Sequence, residues 1–448
     1  MQRPVEHGDR VCAPLRWTLV WLGTAAIAWP LAVADDNKSV GFRKIQLTDA
    51  FHAEAAGLGD IDRDGHGDAV YGPFWYAGPD FKVRHEIYAP KDFDPANYSN
   101  NFMTAVGDVD GDGWLDVLVN EWPGKEVFWF QNPRHDPHKP TGPWLKHLAH
   151  PIVDNESPTF LDITGDGRPE LIFHTSGVLG FASMPKKKPT DRWVFTPCSE
   201  PEAWGQYTHG LGVGDVNGDS RSDLLMSGGW WEQPADVLAV PRAWKKHPHA
   251  FGSGGAQMYA YDVDGDGDQD VITSLKAHAY GLAWFEQVKK GDGGEIDFIE
   301  HQILPAAADG NLAGVQFSQL HAVCLADVDG DGLKDIITGK RYWAHGPKGD
   351  ADPSGTPLLY WFKLTRKPDA AGGVAADKAG QVAWTPLKID GASGVGTQIA
   401  VGDLNGDQRP DIVVGNKKGG FVFLQETPVG LSSPSVAPAN ASKGTDGR

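Results

Sequence analysis

The sequence predicts an all-β fold, a seven-bladed β-propeller with four-stranded blades, and three observations support it. A nine-residue acidic loop occurs seven times, at intervals of 47 to 76 residues, and periods near this length are typical of propellers. Each loop lies between two strand-like runs, and two further runs complete most units, as in a propeller blade. A lone strand precedes the first loop and can complete the last unit, which closes the ring.

The acidic loops place oxygen side chains at loop positions 1, 3, 5 and 9. Because this alternation points several carboxylates at one spot, a hard divalent cation is needed to relieve their repulsion, and Ca²⁺ suits such a flexible oxygen cage. The four complete loops are Asp60/Asp62/Asp64/Asp68, Asp108/Asp110/Asp112/Asp116, Asp262/Asp264/Asp266/Asp270 and Asp327/Asp329/Asp331/Asp335. The other three are Asp162/Thr164/Asp166/Glu170, Asp215/Asn217/Asp219/Asp223 and Asp403/Asn405/Asp407/Asp411. We expect up to seven calcium sites, and the three loops with an incomplete carboxylate set should bind more weakly.

Two alternatives to a calcium loop are less consistent with this pattern. A single Asp-Gly-rich loop would be an ordinary hairpin turn, but seven copies in register argue against that interpretation. An EF-hand needs a bidentate Glu at its twelfth position and flanking helices, whereas these flanks alternate like strands.

The runs around each loop have a constant order. A short strand precedes the loop (MTAVGDVD), a β-branched strand follows it (DIITG), a third is aromatic (LLYWFKL), and a fourth carries Trp or a Lys-His pair (WLKHLAHP). The last unit ends at FVFLQE without a fourth strand, and the lone strand FRKIQL spans Phe42–Leu47. We therefore expect this N-terminal strand to complete blade seven. The longer final intervals indicate loop insertions rather than another blade.

The chain has 448 residues and a formal net charge of −19, with a hydrophobic content of 40% that is sufficient for a core. Many of its acidic residues lie in the seven loops, so most of the negative charge is explained by ion binding. No basic stripe is available to meet phosphates, which excludes nucleic-acid binding as the expected function.

The first 34 residues have the features of a signal peptide. Arg16 ends a basic stretch, an apolar run follows, and Ala32-Val33-Ala34 forms a small-x-small cleavage site. A retained membrane anchor is the alternative, but Pro30 breaks a run that barely reaches spanning length. We expect a secreted or periplasmic protein without a membrane partner after cleavage. The predicted domains are a signal peptide over 1–34, the propeller over 35–426 and a disordered Ser/Pro/Ala-rich tail over 427–448.

Cleavage of the leader would leave two cysteines, Cys198 and Cys324. Cys324 lies in an apolar strand (HAVCLAD) and Cys198 in a loop (TPCSEP). One disulfide is possible, but two inert thiols are the favoured interpretation, since metal ions and ring closure would hold this fold.

The first strand of each blade lines the central channel, and its start lies at the face opposite the acidic loops. Counting back six residues from each loop aligns this end and places Glu54, Glu156, His209 and His321 on four different blades. Imidazoles with carboxylates are a typical ligand set for Zn²⁺, so a zinc site in the channel mouth is predicted. The alternative is a set of hydrogen-bonded polar residues that line a wet channel.

The second strands end at the same face and add further polar and aromatic residues. These include Trp122, His174, Trp230, Trp231, Lys276, His278, Lys340, Arg341, Tyr342, His345 and Lys417. Function is often placed in such rim loops on a rigid scaffold. The candidate catalytic residues are His278, His345, Lys340, Arg341 and Tyr342. Four other histidines, His85, His147, His247 and His301, lie on fourth strands and are interpreted as structural.

The acidic loops resemble the FG-GAP/VCBS repeats of integrin α-type propellers over nearly all of residues 42–426. The segment Gln319–Asp350, QLHAVCLADVDGDGLKDIITGKRYWAHGPKGD, resembles the propeller domain of aldos-2-ulose dehydratase and its secreted bacterial relatives. That resemblance implies a zinc ion in the mouth and elimination of water from keto-sugars such as 1,5-anhydrofructose or glucosone. The sequence shows no cupin domain, so an isomerase activity is not implied.

Two functions remain open at this stage. The first is a metal-dependent lyase in which zinc polarises the sugar carbonyl, His278 or His345 removes the α-proton, and Lys340 and Arg341 balance the developing charge. The second is a non-enzymatic carbohydrate- or protein-binding propeller, lectin-like or integrin-like. A lectin should repeat its pockets between blades, whereas the His and Glu set occurs on four of seven blades and favours the enzyme. The oligomeric state is not predicted.

Overall fold

The computed structural model describes residues 40–133, 143–237, 243–291, 294–367 and 382–426. The predicted signal peptide and the predicted tail lie outside these residues. Among the described residues there are 27 strands and no helix, hence none long and apolar enough to cross a membrane.

Six blades are built from consecutive strands, ordered from the channel outward, and the seventh recruits the first strand of the chain. Blade one consists of β2 (Ala56–Gly59), β3 (Asp68–Tyr71), β4 (Phe74–Tyr76) and β5 (Arg84–Glu86). Blade two consists of β6 (Met103–Gly107), β7 (Asp116–Asn120), β8 (Lys125–Gln131) and the first half of β9 (Leu145–Leu161). Blade three consists of the second half of β9, β10 (Glu170–Thr175), β11 (Val178–Ser183) and β12 (Val194–Pro197). Blades four and five are β13 (Leu211–Gly214), β14 (Asp223–Met226), β15 (Gly229–Glu232) and β16 (Lys245–Pro248), and β17 (Gln257–Tyr261), β18 (Asp270–Ser274), β19 (Leu282–Lys290) and β20 (Glu295–Leu304). Blades six and seven are β21 (Val323–Ala326), β22 (Asp335–Gly339), β23 (Leu359–Arg366) and β24 (Val382–Asp390), and β25 (Ile399–Gly402), β26 (Asp411–Asn416), β27 (Gly419–Glu426) and β1 (Gly41–Thr48).

Closure of the ring by the N-terminal strand is confirmed. Strand β1 pairs antiparallel with β27, from Gly41 opposite Glu426 to Thr48 opposite Gly420. The innermost strands are neighbours around the whole circle, because β2 contacts both β6 and β25, and the remaining first strands contact one another in order. The predicted seven-bladed propeller is therefore the observed fold.

The hydrophobic core is divided among the blade interfaces. Seven clusters of buried residues occur in the described part of the chain, and each joins one pair of adjacent blades. Between blades four and five, for example, Trp230 and Phe251 belong to one cluster with Phe285 and Phe298. Because every blade buries both faces against its neighbours, the ring is stabilised only as a complete set.

Two features of the strand pairing differ from separate four-stranded blades. Strand β9 continues from blade two into blade three, pairing with β8 over Leu145–Val153 and with β10 over Asp154–Leu161. Strands β13 and β17 pair in parallel, with Gly212 opposite Met258. A Cβ at Gly212 would come within 2.1 Å of the Met258 carbonyl oxygen, so glycine permits this close approach.

The outer histidines stack on tryptophans of the adjacent third strand. His247 lies 3.9 Å from Trp230 between ring centroids, and His301 lies 4.5 Å from Trp284. Their Nε2 atoms also contact Glu232 and Glu286 at 2.8 Å and 2.7 Å. These contacts account for the two histidines as packing groups of their blades. Cys198 and Cys324 are free thiols.

Deleting Phe42–Leu47 is expected to leave blade seven with three strands and an open edge, because β1 supplies its outermost strand. An exposed edge is a template for pairing with other chains, so the variant should aggregate or lose stability. Deleting Ser432–Arg448, which lies outside the described residues, is the matched control and should have no measurable effect. Size-exclusion chromatography and thermal melting would measure both. A soluble, fully stable protein without the N-terminal strand would contradict the closure argument.

Candidate functional site

Four side chains from four blades meet in the channel at the end opposite the acidic loops. Glu156 lies in the blade-three half of β9, and His209 and His321 each stand two residues before the first strand of their blade. His278 follows the second strand of blade five, in the turn that precedes β19. The propeller thus brings together residues that are up to 165 positions apart in the sequence.

The donor atoms of this group, hereafter the channel cluster, are close enough to share one ion. The Nε2 atom of His209 lies 3.2 Å from that of His321 and 3.0 Å from that of His278. The Glu156 Oε2 atom lies 3.3 Å from His209 Nε2 and 3.1 Å from His321 Nε2. Tetrahedral zinc with ligand bonds of ~2.0–2.1 Å separates its ligand atoms by about 3.3 Å. The cluster therefore fits a small tetrahedral metal ion.

Protonation in the channel cluster also favours a cation. Burial is the main reason that the pKa of His321 lies well below its usual range, with the nearby Arg341 adding to the effect. Burial also lowers the pKa of His278. Burial alone would raise the pKa of Glu156, but its hydrogen bonds with His209 and His321 hold it well below the usual value. Neutral imidazoles beside an ionised carboxylate are the forms that bind a metal.

Asp350 connects the channel cluster to His345. Its Oδ1 atom lies 3.4 Å from His278 Nδ1 and 2.7 Å from His345 Nδ1, and its Oδ2 accepts the His345 backbone N–H at 2.9 Å. The Asp350 side chain is 2% exposed, whereas that of His345 is 47% exposed. A carboxylate on the far nitrogen of a metal-binding imidazole fixes the orientation of the ring. The same carboxylate leaves His345 Nε2 directed away from it.

Glu54 lies outside the channel cluster. Its Oε2 accepts a hydrogen bond from Arg341 Nη2 at 2.8 Å, and both side chains are essentially fully buried. The structure therefore pairs these two predicted site residues with each other. Glu54 Oε1 and Arg341 Nε have no hydrogen-bond partner among the described residues, so the pair keeps unused polar atoms at the channel.

Lys340 is committed to holding a loop. Its Nζ donates to Ser318 Oγ at 2.7 Å and to the Asp352 carbonyl at 2.6 Å, and its side chain is 1% exposed. Lys417 plays a similar part, with its Nζ 3.0 Å and 3.2 Å from the carbonyls of Trp343 and Ala344. Both ammonium groups thus fix the segment between β22 and β23 that carries His345 and Asp350. This arrangement makes Lys340 a positioning group.

Other predicted rim residues lie apart from the channel cluster. The Tyr342 ring contacts Trp343 and lies 4.7 Å from Lys418 Nζ. Trp230 and Trp231 are fully buried in the blade core, so they offer no face to a ligand. His174 is buried, which lowers its pKa to about 4, and its ring nitrogens have no hydrogen-bond partner among the described residues.

Two residues at the mouth were not identified from the sequence, Asp350 and Tyr98. The Tyr98 ring lies 4.4 Å from Trp122 and 6.1 Å from His345, and Lys417 Nζ stands 4.5 Å above its face. Burial raises its pKa to about 12, so the phenol is neutral near pH 7. Asp350 is the last residue of the segment Gln319–Asp350 that resembles a known family. Its place in that segment could have indicated that it belongs to the site. Tyr98 lies between blades, where no repeat pattern applies.

Three non-glycine residues near this site have a left-handed backbone conformation. Gln319, Trp343 and Asp352 adopt positive φ values of 59°, 63° and 44° although none is glycine. Such conformations cost about 1–3 kcal/mol each and persist where the surroundings impose them, often at functional sites. Each of the three lies two residues away in the sequence from a residue of the site, which is His321, His345 or Asp350.

The acidic loops adopt a common conformation that is consistent with calcium binding. In the second loop, Asp108 accepts N–H groups from Gly111, Asp112 and Gly113 at 2.8–3.0 Å. The final carboxylate, Asp116, is buried, and burial raises its pKa to about 7. In the first, second and fifth loops, carboxylates at positions 1, 3 and 9 come within 4.8 Å of one another. A divalent ion would neutralise these close carboxylates.

The position-5 carboxylates Asp64 and Asp266 depart from the predicted convergence. Both residues are exposed, and neither joins the group that positions 1, 3 and 9 of its loop form. The physical reason is a local hydrogen bond, because Asp64 Oδ1 accepts the His66 backbone N–H and Asp266 Oδ1 accepts that of Asp268, each at 2.8 Å. These bonds direct one oxygen of each carboxylate at the turn. The three-carboxylate group is thus the observed core of the first, second and fifth loops, and a fourth ligand at position 5 stays a prediction.

Comparisons with known proteins agree with the repeat architecture. Residues 108–173 match an FG-GAP-like repeat and residues 395–427 match an FG-GAP repeat. No curated protein matches the chain. Rhamnogalacturonan lyase YesW is 16% identical, with a TM-score of 0.39 over 85% of this chain and 75% of that one. An Agrocybe aegerita lectin that recognises non-reducing terminal N-acetylglucosamine is 13% identical, with a TM-score of 0.40 over 85% and 87% of the two chains. At these values neither similarity bears on activity.

Proposed function

We propose that this protein is a secreted or periplasmic, calcium-stabilised propeller that acts as a metal-dependent lyase on keto- or anhydro-sugars at its channel mouth. The observation that carries the proposal is the convergence of three imidazole nitrogens and one carboxylate oxygen at 3.0–3.3 Å. Glu156, His209, His278 and His321 would hold the ion, with zinc as the best fit. Bound there, it would supply Lewis-acid polarisation of a substrate carbonyl.

His345 is the residue best placed to remove the α-proton of the sugar. Its Nδ1–H is donated to Asp350, so Nε2 carries the free lone pair of a general base. Its ring lies 4.3 Å from that of His278, which keeps the base next to the channel cluster. His278 itself presents Nε2 to the cluster, so His345 takes the catalytic role that the sequence left open between them.

The elimination is balanced by groups at the mouth. The α-proton passes to His345 Nε2, the C–H electron pair forms the new carbon–carbon double bond, and the β carbon–oxygen bond breaks. The departing hydroxyl takes a proton and leaves as water. Tyr98, a neutral phenol beside His345, is the candidate donor of that proton. Arg341 and Lys340 act at one remove, since Arg341 is paired with Glu54 and Lys340 holds the loop that carries Asp350.

The aromatic rim favours a sugar as the partner in either functional class. Trp122 Nε1 donates to the Tyr207 hydroxyl at 3.0 Å, and Tyr207 is 48% exposed. Aromatic faces with polar edges suit the amphipathic rings of carbohydrates. A carbohydrate-binding propeller without catalysis is therefore the second candidate, and it would use the same wall of the mouth.

Replacing His345 by Gln is expected to lower the elimination rate on 1,5-anhydrofructose or glucosone by at least 100-fold, because a general base contributes about 10²–10⁴-fold. Metal content should not change, since His345 is not part of the channel cluster. The control is His247→Gln, which removes an outer, stacked histidine of the same chemistry. Ultraviolet absorbance of the unsaturated product and elemental analysis would measure both effects. Metal-loaded wild-type protein that binds these sugars without forming product would favour the binding-protein candidate.

A further inference from the structure

We propose that the fourth and seventh acidic loops do not bind calcium. In each of them an arginine side chain takes the place of the ion, Arg221 in the fourth loop and Arg409 in the seventh. These loops begin at Asp215 and Asp403. This assignment is independent of the channel cluster. A pattern within the chain and the contacts of the two guanidinium groups support it.

The pattern is found at loop position 7. All three loops with an incomplete carboxylate set at positions 1, 3, 5 and 9 carry arginine there, and the four complete loops carry none. The residues are Arg168, Arg221 and Arg409 in the incomplete loops and His66, Trp114, Asp268 and Leu333 in the complete ones. An arginine two residues after the position-5 carboxylate can reach back to it. The arginine thus accompanies the replacement of the position-3 aspartate.

In the seventh loop Arg409 contacts both oxygens of the position-5 carboxylate, Asp407. Arg409 Nε and Nη2 donate to Asp407 Oδ2 at 3.1 Å and 2.7 Å. The backbone N–H of Arg409 donates to Asp407 Oδ1 at 2.9 Å, a contact that the complete loops share. One residue therefore engages both oxygens of the position-5 carboxylate, and its guanidinium neutralises the charge in a charge-assisted contact.

The fourth loop repeats this arrangement and adds a second obstacle. Arg221 Nη2 donates to Asp219 Oδ2, its backbone N–H donates to Asp219 Oδ1 at 3.0 Å, and its Nε donates to the Gln233 carbonyl at 2.9 Å. The position-3 residue, Asn217, donates from Nδ2 to Asp219 Oδ2 at 3.1 Å. Both oxygens of Asp219 are thus engaged by N–H groups of its own loop.

These two loops adopt the same turn as the complete loops. Ser220 and Gln408 replace the glycine yet adopt φ values of 67° and 64°, in the left-handed region that Gly113 of the second loop also occupies. Their N–H groups donate to Asp215 and Asp403 at 2.7 Å and 2.8 Å, as Gly113 donates to Asp108 at 2.9 Å. The turn is thus held by its own hydrogen bonds and by the arginine.

Lysine and arginine contacts elsewhere differ from this internal pairing. In the complete loops, Lys363 contacts Asp329 and Asp331, and Arg366 Nη2 lies 3.7 Å from Asp262 Oδ1. Both cations come from strand β23, and both loops retain all four carboxylates. In the third loop, Arg168 packs against Gly111 of the second loop, and Lys186 pairs with Asp166 at 2.8 Å. Pairing of the position-5 carboxylate with an arginine of the same loop is therefore found in the fourth and seventh loops.

Matched position-1 variants test this assignment, because position 1 belongs to the converging carboxylate group of the second loop. Elemental analysis of purified protein should show that Asp108→Asn loses one equivalent of calcium and that Asp215→Asn and Asp403→Asn lose none. The wild type should bind at most five equivalents. Loss of one equivalent in Asp215→Asn or Asp403→Asn, or six or seven equivalents in the wild type, would overturn the inference.

A measurement on the wild type keeps the test decisive if a variant does not fold. Hydrogen exchange would be followed by mass spectrometry with and without the calcium chelator EGTA, at a temperature at which the ring stays folded. Peptides over 108–116 and 327–335 should exchange faster without calcium, and peptides over 215–223 and 403–411 should not change. Faster exchange in the last two upon chelation would mean that they bind calcium after all.

Discussion

Removing calcium with EGTA is expected to lower the melting temperature of the protein more than any single substitution in the ring. An ion that binds only the folded state stabilises it by mass action, by about 2.7 kcal/mol per site at a concentration 100 times the dissociation constant. The four complete loops lie in four different blades, so their contributions add over the ring. Without the ion, several carboxylates within 4.8 Å repel one another.

Thermal melting by circular dichroism, in calcium and in EGTA, measures this effect. Among single substitutions, Asp331→Ala should lower the melting temperature more than Asn405→Ala, because Asp331 lies in a loop with a full carboxylate set. Magnesium in place of calcium should restore little, since it demands a smaller, octahedral site. Identical melting curves with and without EGTA would refute the calcium interpretation of the loops.

The double substitution His209→Ala/His321→Ala is expected to remove one equivalent of transition metal and leave calcium unchanged. It deletes two of the four donors whose atoms converge at 3.0–3.3 Å, so the two that remain cannot complete a tetrahedral site. The ring closure and the acidic loops lie elsewhere, so the fold should persist. Turnover of keto-sugars should disappear together with the metal.

The matched control is His247→Ala/His301→Ala, which removes two histidines from the outer strands. It should reduce stability through lost packing but leave the transition-metal content intact. Elemental analysis and circular dichroism distinguish the two outcomes. A wild type without transition metal, or a double variant that retains it, would favour the carbohydrate-binding propeller.

The repeat made most of the fold predictable. Each acidic loop marks a fixed point of its blade, so strand order, blade number and ring closure follow from counting along the chain. The same count found Glu156, His209 and His321, since equivalent starts of first strands face one channel. The continuous strand β9 was not predicted, because its two halves read as separate strands and only pairing to both neighbours reveals the continuity.

The alternation of oxygen side chains within a loop was a less complete guide to the ion site. It treats positions 1, 3, 5 and 9 alike, yet Asp64 and Asp266 at position 5 are exposed and bond to the turn instead of joining the other three carboxylates. A spacing rule locates the backbone of each residue, whereas the direction of its carboxylate depends on which N–H groups the turn offers.

The rest of the site depends on contacts that no local pattern encodes. Glu54 satisfies the same count as Glu156, but its neighbour across the channel is Arg341, 287 residues later, and the two pair with each other. His278 was assigned to catalysis although its Nε2 joins the cluster. The role of His278 depends on its contact with Asp350. Asp350 lies in an irregular segment between β22 and β23, whose path no periodic pattern describes. Side-chain partnership across blades is thus the part that the sequence leaves undetermined.

The register of the closing strand has a mechanical consequence. Gly41, at the beginning of β1, lies opposite Glu426, at the end of β27, so the two ends of the ring leave it side by side. A pulling force between these ends would load the closing hydrogen bonds one after another, as a zipper, rather than all at once. We therefore expect the ring to open at low force in single-molecule stretching when it is held by these two ends. Attachment through one end alone would leave the seam unloaded.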